Sequence, residues 1–203
     1  MTAFAPHLFK NKTYVVTGAS SGLGRGVAIA IAQLGGRVIA LGRSGDRLQL
    51  TLDQMVSSNH LKIIGDISSA DAAFETMKEA RASAGNSIHG IFHSAGVAQI
   101  KTARMTRTKH IEEIIGASLL GAFGIARAAA TREFFALDGG SIVFMSSVAG
   151  EKGQVGMSAY GASRSAISGL VKNLACEFAP HKIRVNSIIA GAVETEMHTQ
   201  ISR

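Results

Sequence analysis

The residues with the clearest chemical meaning form a glycine-rich turn, Thr17-Gly18-Ala19-Ser20-Ser21-Gly22-Leu23-Gly24. Glycine lets a backbone turn sharply and come close to a pyrophosphate, and a helix that follows offers unpaired N–H groups to that anion. The spacing differs from the common G-x-G-x-x-G fingerprint, and a plain strand-to-helix turn can contain the same residues. Its place, after the first apolar run and at the start of the first helical pattern, favours a dinucleotide. Metal chemistry has no support, because the seven histidines are scattered and none pairs with another at ligand spacing. The single cysteine, Cys176, cannot form an internal disulfide. It falls inside a helical pattern and is read as a buried thiol in a reducing compartment.

The elements that must position this turn follow from hydrophobic periodicity. Strands are expected at Thr13 to Thr17, Arg37 to Leu41, Leu61 to Gly65, Ile88 to His93, Ser141 to Met145 and Ile183 to Ile189. Helices are expected from about Gly22 to Leu34, Asp46 to Val56, Asp71 to Ala84, Arg107 to Phe135 and Ser158 to Phe178. Strands such as Ile142-Val143-Phe144-Met145 are apolar throughout, so both faces of the sheet must be covered. The expected fold is α/β, a doubly wound parallel sheet of Rossmann-like type, as a single domain over residues 1–203. Ligands of such sheets sit at the carboxyl ends of the strands.

Composition narrows the partners. A chain of 203 residues that is 46% hydrophobic can bury a sizeable core, and its formal charge of +7 favours anionic ligands or acidic proteins. The cluster Lys101, Arg104, Arg107 and Lys109 is either a solvated face or a docking surface. No aromatic-plus-basic stripe or recognition helix accompanies it, so nucleic acid is not expected as a partner. Met1 to Lys12 lacks the layout of a signal peptide, which points to the cytoplasm. Ile114 to Ala130 is too short and too polar to span a bilayer, so no membrane is expected.

The spacing of several motifs resembles the short-chain dehydrogenase/reductase family over nearly the whole chain. Thr17-Gly18-x-x-x-Gly22-x-Gly24 is similar to its cofactor motif, which implies cofactor contacts from Gly18, Ser20, Ser21, Gly22, Leu23 and Gly24. Asp66-Ile67 resembles the adenine-contacting pair, and His93-Ser94-Ala95-Gly96 an Asn-Asn-Ala-Gly segment that supplies Ala95 and Gly96. Arg184-Val185-Asn186 with Gly191 and Thr195 resembles the segment beside the nicotinamide. Ser147 and Tyr160 stand at the spacing of the catalytic Ser and Tyr, with Tyr160 and Arg164 also implied to touch the cofactor. Without the resemblance, Ser147 would be a loop cap and Tyr160 a ring packed on a helix.

The end of the second strand bears on the cofactor. A carboxylate there would bind the 2′-hydroxyl of NAD and repel a 2′-phosphate. Gly42-Arg43 removes the carboxylate and adds a guanidinium, so NADP(H) is expected.

The catalytic end departs from the family pattern. A phenol with an ordinary pKa of about 10 needs a fixed cation nearby to act as an acid or base near neutrality. Four positions after Tyr160 the family has lysine and this chain has Arg164. Arginine keeps the charge and can bond ribose hydroxyls, but it does not give up a proton. Ser118 stands where the family has an asparagine that holds a relay water, and Ala190 replaces a proline before Gly191. His93 replaces the first asparagine of its segment, with a structural role bracing the sheet expected.

These features imply an NADP(H)-dependent reductase of carbonyls, with 3-oxoacyl-thioester reductases the nearest in look and an acidic carrier protein as a possible partner. The alternative is an NADP(H)-binding homologue without turnover, a sensor or an inactive subunit. Apolar and small residues on the helices near Glu112 to Phe135 and Ser158 to Phe178 imply a homodimer or homotetramer. The sequence stops at Arg203, soon after Thr195-x-Met197, so the family's usual C-terminal end is expected to be missing.

Overall fold

A computed structural model describes residues 4–85, 87–131 and 133–196, which leaves Met197 and Arg203 outside the described residues. Its strands are β1 (Thr13–Thr17), β2 (Arg37–Gly42), β3 (Leu61–Ile64), β4 (Gly90–His93), β5 (Gly140–Ser147) and β6 (Ile183–Ala190). They form one sheet in the order β3-β2-β1-β4-β5-β6, parallel throughout. This is the doubly wound order that the sequence implied, with a switch point between β1 and β4.

Successive residues of each strand enter opposite layers. Val15 packs with Ile39, Ile91, Ile142 and Phe144 on one face, and Val16 with Val38, Ala40, Phe92 and Met145 on the other. Each fully buried side chain of this size contributes about 1.5–3 kcal/mol relative to exposure. The first face is covered by α3 (Ala70–Ala84), α5 (Gly121–Ala129) and α6 (Ser158–Phe178), the second by α1 (Gly22–Gln33) and α2 (Gly45–Leu52).

The helix expected from Arg107 to Phe135 is not continuous. It comprises α4 (Thr108–Ile115), a wider π-helical stretch (Gly116–Leu120) and α5. Glycines 116 and 121 bring this stretch against the loop after β3: a Cβ on either would stand 2.7 Å from a carbonyl, of Ser68 and Ile67 respectively. Phe134 and Phe135 lie beyond the helix end, buried in the first core layer, and Phe135 bridges to Ile88. Their apolar character belongs to the core rather than to a helix face. Strand β4 is correspondingly shorter than expected, starting at Gly90. Cys176 also departs from expectation, because it is exposed. Helix α6 buries Ile167, Leu170, Val171, Leu174 and Phe178, and residue 176 falls on the opposite side of that stripe.

His93 closes the sheet at the switch point. Its ring is 1% exposed and meets Phe144 edge-on, with centroids 5.7 Å apart. Nε2 lies 3.1 Å from the Ser118 carbonyl, which only accepts, so Nε2 carries the hydrogen. Nδ1 then accepts from the Thr17 hydroxyl at 2.8 Å. The neutral ring thus joins β1, β4 and the π-helical stretch, the bracing role expected of it.

Burial lowers the His93 pKa to about 4, with the Ser118 carbonyl opposing and the Arg164 charge adding to the effect. Because the folded pKa lies below the unfolded value of about 6.5, the unfolded chain binds more protons between these limits. Stability is therefore full above about pH 6.5 and falls as pH drops toward 4. Chemical denaturation at pH 7 and 4.5 should show the unmodified chain losing about 2 kcal/mol more than His93→Asn over that interval. Equal losses in the two proteins would rule out His93 as the source.

Candidate active site

The carboxyl ends of β1 and β4 lie side by side, with Thr17 in register with His93, and the loops after them diverge to form a crevice. The glycine turn lines one side. Gly18 has a φ of +67°, and a Cβ there would stand 2.9 Å from the Ala95 amide nitrogen. A Cβ on Gly24 would run into the Gly18 carbonyl and Ser94 Oγ. Both positions are closed to any side chain, which is the tight cradle that a pyrophosphate needs.

Helix α1 starts at Gly22 with Ser21 as N-cap, and the Ser21 side chain makes no bond to the helix. The first-turn amides are therefore left for an anion. Two carbonyls of the turn are engaged elsewhere. The Thr51 hydroxyl donates to Ala19 at 2.9 Å, and Arg25 Nη2 donates to Ser20 at 2.5 Å while its Nε donates to Thr51 Oγ1 at 3.1 Å. These residues fit a dinucleotide phosphate. The roles of Arg25 and Thr51 were not foreseen; the available signal was a basic residue in the first turn of a helix, where the dipole disfavours it.

On the β2 side of the crevice, Gly42 ends β2 beside the turn, and a Cβ on it would be 3.4 Å from Ser20 Oγ. Arg43 is exposed immediately after, and Ser44 caps α2 by accepting from the Arg47 amide. Asp66 is exposed after β3, with its carboxylate accepting from the Ser68 amide at 3.0 Å and the Ser68 hydroxyl at 2.9 Å. The Ile67 side chain is buried in the core instead of lining the rim.

The opposite end holds the two hydroxyls. Ser147 ends β5, and its Oγ accepts from the Ala149 amide at 3.2 Å, so it caps its own loop and keeps its proton available. Close packing seats that loop on α6: a Cβ on Gly161 would be 2.5 Å from the Ala149 carbonyl, and one on Gly150 2.8 Å from the Ser165 nitrogen. Tyr160, half-buried on α6, is brought to the same end. A cavity of about 500 Å³ adjoins this loop, lined by Thr102, Gly150, Gly156, Met157 and Gly161 among others. Ser147 and Tyr160 are not among its lining residues, so it is a neighbour of the hydroxyl pair and not its pocket.

Arg164 is 4% exposed. Its guanidinium lies 4.9 Å from the centre of the Tyr160 ring, a cation–π contact. Nη1 donates to the Met145 carbonyl at 3.0 Å, Nη2 faces Gly96, and Nε has no partner. No carboxylate among the described residues pairs with it. Ser118, 1% exposed, donates its hydroxyl to the Ile114 carbonyl at 2.6 Å, which leaves it no free proton for a relay water. Ile114 is the second-last residue of α4, just before the π-helical stretch, so the bond runs back one turn along the same helical segment.

Beyond β6, whose last residue Ala190 is in register with Ser147, Gly191 is exposed with open space around it. The Thr195 methyl carbon comes within 3.4 Å of a Cβ placed on Gly22, so this segment returns to the mouth of the glycine turn. Among the described residues no group of three His, Cys, Asp or Glu can hold a metal, and no helix is long and apolar enough to cross a membrane.

Comparison with known proteins agrees with this architecture. The family model described as short chain dehydrogenase matches residues 12–203. Carbonyl reductase family member 4 of Xenopus laevis is 31% identical over 191 residues, covering 94% of this chain and 79% of the relative. The 3-oxoacyl-[acyl-carrier-protein] reductase of Mus musculus is 32% identical over 187 residues, covering 92% of this chain and 78% of the relative. A short-chain dehydrogenase structure from Shigella flexneri 2a, complexed with NADP, superposes with a TM-score of 0.86 at 25% identity, covering 97% of this chain and 83% of that one. The glycine cradle at the switch point and the Ser147–Tyr160 pair therefore have a family context: this chain belongs to the short-chain dehydrogenase/reductase family of oxidoreductases.

Proposed function

We propose that the chain is an NADP(H)-dependent reductase that converts a ketone, such as a 3-oxoacyl thioester, to the hydroxyl. Arg43 carries the cofactor assignment: it is an exposed guanidinium directly after Gly42, beside the phosphate turn, where a carboxylate would select NAD. Gly18, Ser20, Ser21, Gly22, Leu23 and Gly24 would hold the pyrophosphate, Asp66 the adenine rim, and Ala95, Gly96, Gly191 and Thr195 the remainder. The bound nicotinamide supplies or accepts the hydride. Tyr160 gives its phenolic proton to the carbonyl oxygen, Ser147 orients that oxygen with its hydroxyl, and Arg164 places a fixed positive charge against the Tyr160 ring. The similarity to a carbonyl reductase of Xenopus laevis supports carbonyl reduction, and that to a 3-oxoacyl-[acyl-carrier-protein] reductase of mouse supports a carrier-bound thioester. An acidic carrier would meet the basic cluster at Lys101, Arg104, Arg107 and Lys109.

A second reading, cofactor binding without turnover, is favoured by two observations. The Arg164 guanidinium is buried with an unpartnered Nε, and the Ser118 hydroxyl is engaged with its own helix. The broad guanidinium stands where a narrow ammonium would leave room, and it cannot release a proton.

Self-association belongs to the same proposal. Ile111, Leu120 and Phe123 are exposed along α4, the π-helical stretch and α5, and the outer face of α6 shows small residues such as Ala162, Ser165 and Gly169. Light scattering should report a dimer or tetramer; a monomer would count against it.

NADPH should bind more tightly than NADH, and Arg43→Ala should weaken NADPH about 10- to 100-fold while leaving NADH nearly unchanged. Equal affinity of the unmodified chain for both cofactors would overturn the NADP(H) assignment. In NADPH oxidation with a panel of 3-oxoacyl thioesters and ketones, Tyr160→Phe should lower turnover by about 10²–10⁴-fold. Tight NADPH binding with no turnover on the panel, and turnover gained in Arg164→Lys, would establish the non-catalytic alternative.

A further inference from the structure

The segment after β6 ties two anion-binding regions of the crevice together. Thr195 lies over Gly22, at the start of α1, where a pyrophosphate is expected. Its neighbour Glu196 forms an ion pair with Arg47, in the first turn of α2. Arg47 is four residues beyond Arg43, and its amide is held by the Ser44 cap. Two consecutive residues thus run from the pyrophosphate end toward the place where the adenosine ribose would carry its phosphate. The pair joins residues 149 apart in sequence, so it fastens the segment to α2 and not merely one turn to the next.

Two features make Arg47 more than a solvated cation. Its charge sits in the first turn of a helix, where the dipole favours anions, so a negative group beyond the turn's own Asp46 is stabilised beside it. Glu196 supplies a carboxylate at this spot. The pair is about half exposed, with side chains 44% and 53% accessible, so the carboxylate can be exchanged for another anion. A phosphomonoester carries about −1.5 to −2 charge near pH 7, against −1 for a carboxylate, and offers three acceptor oxygens.

We propose that Glu196 is an internal competitor for the cofactor's 2′-phosphate: it holds Arg47 in the free protein, and the 2′-phosphate displaces it and takes Arg47 as a second ligand beside Arg43. The inference rests on the assignment of Arg43 to the 2′-phosphate. Phosphate binding then unfastens the segment that carries Gly191 and Thr195 from α2, which couples the adenosine end of the crevice to the strand β6 end. The cofactor without the phosphate leaves the Arg47–Glu196 pair in place, so Glu196 sharpens the difference between the two cofactors only through Arg47.

The test is direct titration of the full chain with NADPH and with NADH, at low ionic strength and at about 0.5 M salt. Glu196→Gln should tighten NADPH binding by about three- to fivefold at low salt, the scale of an exposed ion pair. That gain should shrink at high salt and be absent for NADH. Arg47→Ala should weaken NADPH, and in that background Glu196→Gln should change nothing. The proposal is overturned if Glu196→Gln has no effect, if it tightens NADH equally, or if its effect survives Arg47→Ala. Failure of the latch is separable from failure of the NADP(H) assignment. Loss of cofactor preference in Arg43→Ala with a silent Glu196→Gln removes only the latch, whereas an unmodified chain with no preference for NADPH removes both.

Discussion

Everything at this site depends on how closely the backbone after β1 approaches the backbone after β4. The two strands end in register at Thr17 and His93, and the chain must turn away in opposite directions from that point. Gly18 and Gly24 allow the two loops to touch, at distances where a single methyl group would collide with a nitrogen or a carbonyl. The His93 ring holds the strand ends together from within, through Thr17 on one side and Ser118 on the other. Ala95 adds its amide to the same Thr17 oxygen at 3.4 Å, so one threonine hydroxyl serves both the brace and the loop. The crevice is therefore a consequence of sheet topology, and its fit to a phosphate a consequence of glycine and the helix that follows.

Electrostatics differ between the two ends of this crevice. At the β2 end, Arg43 and Arg47 are accessible, so their charges are solvated and free to exchange partners. At the other end, Arg164 is enclosed, with one carbonyl bond, one aromatic face and no carboxylate among the described residues. Removing a charge from water without a counter-charge is costly, and the same charge helps keep His93 neutral. An arginine in this position constrains the local protonation states more firmly than an ammonium group, which can lose its proton when buried.

The fold was largely legible in the sequence because its signals are local. Apolar runs without alternation, such as Ile142-Val143-Phe144-Met145, require a sheet covered on both sides, and all six strands overlap the segments expected from the sequence. The failures have separate physical causes. Phe134 and Phe135 continue a helical apolar pattern, yet they serve the core through a bridge to Ile88, a contact between segments far apart in the chain. Cys176 lies within α6 but off its buried stripe, a phase difference that residue type alone does not reveal. The π-helical stretch depends on glycines meeting the carbonyls of Ile67 and Ser68, which no periodicity records.

The site was legible to a different degree at each level. Residue types and spacing singled out the turn, Arg43 and the Ser147–Tyr160 pair as candidates, because each of these depends on position along one strand or one helix. They did not reveal Arg25 and Thr51, whose role is to engage the carbonyls of Ala19 and Ser20 from a neighbouring helix. Nor did they reveal that Ser118 donates to Ile114, which changes what a serine at that position can do. A hydroxyl is chemically ambiguous until its partner is known. Ser147 illustrates the point from the other side: it accepts from a backbone amide, as a cap does, and still keeps the proton that an orienting hydroxyl needs. Structural and chemical roles coexist in Ser147 because an oxygen that accepts one bond can donate another. In Ser118 they compete, because its one proton is already engaged. That contrast separates holding a cofactor in this crevice from using it.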